Sequence, residues 1–89
     1  MTDLAALQKA FAQVAEETSF READVRALAQ VETAEEAAAI LAGYVAANGA
    51  EVVSWFDRLI AVLRVASDVA GIALPILNLV PAVKTALGF

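Results

Sequence analysis

The sequence predicts an all-α fold, a small four- to five-helix bundle built around one long, broadly apolar helix. Three observations predict it. Alanine supplies 22 of the 89 residues, and alanine is the strongest helix former and lets helices approach closely. Apolar residues recur at spacings of three and four rather than at every second position. Two Ser/Thr-x-x-Glu patterns, Ser19 to Glu22 and Thr33 to Glu36, read as capping boxes that open helices.

In chain order, Thr2 or Asp3 is placed to cap a first helix over residues 4–17, with Leu4, Leu7, Phe11 and Val14 as its apolar stripe. Thr18 and Ser19 interrupt it. The first capping box predicts a second helix over 20–31, with Glu22 and Arg26 four apart for a surface pair. The second box predicts a third helix over 34–47, turning Ala37, Ile40, Leu41, Tyr44 and Val45 inward. Asn48-Gly49 stops it, since both residues tolerate the left-handed conformation that ends helices. None of these short helices would stand alone in water.

The segment after Gly49 carries the densest apolar run. Helices three and four should form a tight antiparallel hairpin. One apolar line runs Val52, Phe56, Leu59, Leu63, Ala66, Ala70, Ala73, Leu77. A second, adjacent line runs Val62, Val65, Val69, Ile72, Ile76, Leu79, Val83, with Trp55 leading into it. The seam left over holds Ser54, Asp57, Ala61, Arg64, Asp68, Gly71, Pro75 and Asn78. At 100° per residue the apolar arc spans roughly 200°, about twice that of an ordinary surface helix.

Unbroken, this helix would be roughly 45 Å long, against a diameter around 30 Å for a compact chain of this length. A bend near residues 71–78 resolves the conflict, because a helical Pro75 would clash with the Gly71 carbonyl. The expected boundaries are about 50–74 for helix four and about 79–87 for helix five. Asn78 would cap the last helix, Pro81 would sit in its first turn and Gly88 would end it. The chain reads as a single helical domain, 1–89, with an acidic three-helix cover at 1–49 and a neutral, apolar segment at 50–89.

Charge and bulk are divided unevenly. Residues 1–50 hold eight acids and three bases; residues 51–89 hold three of each, so the formal net charge of −5 lies in the front half. Large apolar residues number 13 up to Ala50 and 19 after it. Phosphate recognition needs clustered Lys and Arg, so the expected partners include no nucleic acid.

Catalysis is poorly supplied, and the expectation is that the protein is not an enzyme. There is no histidine and no cysteine, hence no common general base, no strong nucleophile and no disulfide. Ser54 and Ser67 have no activating base beside them in sequence. Glu36 belongs to a capping box, and Glu16, Glu17 and Glu35 read as solvated. A cation cage from Glu32, Glu35 and Glu36 lacks calcium-loop spacing. The four glycines are isolated, so no phosphate loop occurs. No catalytic, metal or cofactor residue is expected, and no cofactor.

Function is therefore sought in the excess apolar arc. The expected interaction residues are Trp55, Val62, Val65, Val69, Ile72, Ile76, Leu79 and Val83. Half a dozen of these left bare would forgo about 1.5–3 kcal/mol each, on the order of 10 kcal/mol together. That rivals the whole stability of a typical domain, about 5–15 kcal/mol. The leading expectation is a non-enzymatic helical interaction protein that self-associates or docks on another protein through this segment. Two alternatives share the same arc: a membrane-active or pore-forming helical protein, and a small cytosolic adaptor that grips a partner helix. The uncharged run 69–83 is fifteen residues, short of the ~20 that cross a bilayer, and extending it upstream brings in Arg64 and Asp68. No secretory leader is read at the start, and the expected location is cytoplasmic, with a lipid membrane as the alternative partner. Trp55 and Tyr44 could anchor at an oil–water boundary, but core packing is the commoner fate of lone aromatics at helical spacing.

Overall fold

The computed structural model describes residues 4–89. The proposed caps Thr2 and Asp3 lie outside the described residues. Among those described, five α-helices and one 3-10 turn occur, and no strand. They are α1 (Leu4–Glu17), α2 (Glu22–Gln30), α3 (Ala34–Asn48), α4 (Glu51–Ala70) and α5 (Val80–Ala86), with the 3-10 turn Pro75–Asn78 between the last two. The molecule measures 39 × 24 × 17 Å, with a radius of gyration of 12.2 Å.

Helix α4 is the centre. Its first apolar line is buried from Val52 through Phe56, Leu59 and Leu63 to Ala66 and Ala70, as the spacing requires, whereas beyond the helix end Ala73 is exposed and Leu77 half-buried. The polar seam is solvent-exposed at all eight positions. Helix α1 packs along α4 through Leu7, Ala10, Phe11 and Val14, while Leu4, expected in that stripe, is left 60% exposed at the end of the helix. The pair is antiparallel: Glu17 at the end of α1 meets Arg58 early in α4, and Ala6 and Val69 border one groove. Among the described residues the buried apolar set divides evenly between the two halves of the chain, so the front helices contribute to the core as well as covering it.

Two helix starts differ from expectation. Helix α2 begins at Glu22, not residue 20, and the Ser19–Glu22 capping box does not form; Arg21 is the N-cap in extended conformation, with no side-chain cap of its own. Burial of Phe20 explains the shift, because reaching the core places the preceding backbone outside the helix. The cap is supplied from another helix: the Arg21 amide donates to the Tyr44 hydroxyl at 3.0 Å, and that hydroxyl donates to the Asp24 carboxylate. The Thr33–Glu36 pair does cap α3, the Glu36 amide donating to the Thr33 hydroxyl at 3.2 Å and that hydroxyl donating to the Glu36 carboxylate. Asn78 does not cap α5; it lies within the 3-10 turn, and Leu79 is the N-cap.

The break in the back third comes earlier than residue 74. Gly71 adopts φ 69°, a left-handed conformation that costs glycine little. Its amide and that of Ile72 both donate to the Ser67 carbonyl, at 2.9 and 3.2 Å, and the Ser67 hydroxyl donates to the Ile72 carbonyl. Ser67 thereby clasps the helix end from both sides. Leu74 is extended because it precedes Pro75. The tail then folds back: the 3-10 turn packs on α2 and α4, α5 packs on α3, and Lys84 pairs with Asp57 at 2.7 Å. A Schellman close ends α5, with Gly88 at φ 84° and the Phe89 amide donating to the Lys84 carbonyl at 2.9 Å.

Candidate functional site

Folding back redistributes the second apolar line. Ile76 and Val83 are fully buried, and Val62 is buried against α1, so these three cannot belong to an exposed stripe. The reason is the turn at Gly71: beyond it the helical phase that aligned Ile76 and Val83 with Val69 no longer exists. Ile72, Leu79 and Trp55 are half-buried against the core. Val65 and Val69 remain, 65% and 61% exposed. The chain thus covers most of the arc that the sequence leaves open.

Val65 and Val69 border a shallow groove of about 420 Å³ between α1 and α4. Ala10, Val62 and Ala66 are buried beneath it, and Lys9, Gln13 and Arg58 edge it, so no acidic side chain among the described residues lines it. Small alanines on both helices hold the groove open, since no side chain fills the space between the ridges. At its edge Arg58 donates Nε and Nη2 to the two Glu17 carboxylate oxygens, both at 2.7 Å. The guanidinium holds the Glu17 carboxyl below its ordinary range and is itself raised by it.

Trp55 and Tyr44 are packing residues. Phe20 is the hub, meeting the Tyr44 ring edge-on at 4.8 Å and the Trp55 ring at 5.7 Å. Sequence spacing missed Phe20, which lies between two helices and belongs to no stripe. Beside it lies a second hollow of about 510 Å³, bordered by Ser19, Arg21, Asp24, Ile40, Tyr44 and Asn48. Its Tyr44 and Asp24 side chains are engaged with one another and with the α2 start. Partial burial pushes the Tyr44 phenol up; the Arg21 amide opposes this, and Asp24 adds to it.

Tyr44→Phe should cost about 1 kcal/mol, the loss of an N-cap bond, and lower the melting temperature by about 4–8 °C near neutral pH. A group raised on folding contributes stability that is complete below its unfolded value, here about 10 for tyrosine, and is lost as pH rises through the folded value. The gap between wild type and variant should therefore close in alkaline melts. A gap that persists there would rule out the hydroxyl as its source.

No buried side chain among the described residues is polar or charged, and no group of three acidic side chains there is placed to hold a metal ion. No described helix is long and apolar enough to cross a membrane. No protein-family model, curated protein or solved structure matches this chain.

Proposed function

We propose that this chain is a non-enzymatic helical interaction protein that self-associates through the exposed part of α4. The observation that carries the reading is the Val65–Val69 pair, two β-branched side chains one turn apart and mostly in solvent, beside an apolar groove. Scattered single apolar residues on a surface need no explanation, but adjacent ones bordering a groove of alanines form a seat for a ridge of another helix.

The neutral back half also suits a second copy. Residues 51–89 carry no net charge, and the described side chains that edge the groove with charge, Lys9 and Arg58, are basic, so the net charge of −5 is not gathered on this face. A standard interface takes roughly 800 Å² per partner, about a sixth of the 4933 Å² this molecule exposes.

Light scattering behind size-exclusion chromatography, run across a dilution series reaching tens of micromolar, tests the proposal. The expected result is a mass that rises with concentration in wild type and stays monomeric in Val65→Glu and Val69→Glu. A monomer throughout, indifferent to both substitutions, would remove it. Co-flotation of that monomer with neutral phosphatidylcholine vesicles would reassign the face to lipid.

A further inference from the structure

The exposed strip of α4 is self-complementary about Leu63. At 100° per residue, Arg58, Ala61, Val65, Asp68 and Val69 fall within an arc of about 100°. All five are exposed. When two such helices cross antiparallel with the dyad at Leu63, Ala61 of one faces Val65 of the other, and Arg58 of one faces Asp68 of the other. Each contact occurs twice, as a two-fold interface demands. Shifting the dyad to Val65 would set Val65 against itself and face Asp68 with Val62 and Arg58 with Ile72, where neither charge finds an opposite.

Both charges are available for such a contact. Glu17 occupies the Nε and Nη2 donors of Arg58, leaving the Nη1 side of the guanidinium without a protein partner among the described residues. Asp68 has no ion pair among the described residues, and it sits in the last turn of α4, which contains no basic residue. An anion there opposes the negative end of the helix dipole. Arg64, one turn earlier on the same helix, makes no ion pair with Asp68, and a cation from a second molecule supplies that close contact.

We infer that the partner on this face is a second copy of the chain, docked as an antiparallel α4–α4 pair centred on Leu63, with Val65 seated over Ala61 and Arg58 paired to Asp68 across the dyad. The inference rests on the self-association proposed above and adds its geometry. The small Ala61 side chain makes room for Val65, permitting interaxial distances of about 8–10 Å.

The chain has no cysteine, so introduced thiols report positions without background. Ala61→Cys protein, carrying a mass tag, is mixed with Val65→Cys protein and mildly oxidised. The mixed disulfide should exceed each homodimer several-fold, because only that pair brings Cβ atoms to the ~3.8 Å a disulfide needs. Predominance of the Val65→Cys homodimer would overturn the register and leave self-association standing. Cross-linking no greater than that of Ala42→Cys, an exposed position on α3, together with a monomeric mass, would overturn both. Asp68→Lys supplies an independent readout with opposite signs. The dimer dissociation constant should rise about tenfold through loss and reversal of two exposed pairs, while the dilute monomer melts no lower than wild type, its helix end now matched to its dipole. An unchanged dissociation constant would overturn the Arg58–Asp68 contact.

Discussion

Phe20→Ala is expected to lower the unfolding free energy by about 3–5 kcal/mol, the cost of deleting a buried phenylalanine. Phe20 lies in the short connection between α1 and α2, 2% exposed, with the Tyr44 and Trp55 rings edge-on around it. Removing it empties the junction of α2, α3 and α4 together. It also loosens Tyr44, whose hydroxyl caps α2, so the loss should spread into that helix. Against a total of about 5–15 kcal/mol for a typical domain, the variant would be close to its unfolding threshold. A urea titration followed by Trp55 fluorescence measures this directly. A shift worth under about 1 kcal/mol would show that the cavity collapses and that Phe20 is not the hub.

Ile76→Ala should cost about 2–5 kcal/mol, and its effect should be confined to the tail. Ile76 is fully buried, and with Leu74 and Val83 it forms the apolar hold of the segment after Gly71. The Lys84–Asp57 bridge is partly exposed on both sides and adds little to that hold. Losing Ile76 should therefore free the 3-10 turn and α5 before the rest of the bundle opens. Hydrogen exchange should show α5 amides losing protection while α4 amides keep theirs, and limited proteolysis should cut at 71–74. Equal loss of protection in α4 and α5 would mean that the tail is no separate unit. Undocking would also return Leu74 and Val83 to solvent, so this variant should associate more strongly than wild type.

Much of the fold is legible in the residue pattern because helix periodicity is local. The α1 stripe, the capping of α3 by Thr33, the stop at Gly49 and the first apolar line of α4 all follow from spacings of a few residues and from backbone preferences. The exposed seam from Ser54 to Asn78 was legible for the same reason. Misplaced boundaries lie where a distant side chain intervenes. Ser19 and Glu22 carry the capping-box pattern, yet burying Phe20 and bonding Arg21 to Tyr44, 23 residues away, replaces it.

For the candidate site the division is sharper. By itself the sequence determined that α4 is apolar on two sides, that a break falls near Gly71 and Pro75, and that charge is concentrated in the front half. The tertiary structure alone decided which members of the second apolar line stay in solvent. A left-handed Gly71 redirects the chain, and Pro75 forbids the helix from continuing, so residues that share a face in an ideal helix part company. Ile76 and Val83 enter the core because α2 and α3 offer them a place to pack, and no local spacing encodes that. What remains is Val65 and Val69 beside Ala61, a small exposed face in place of a continuous stripe.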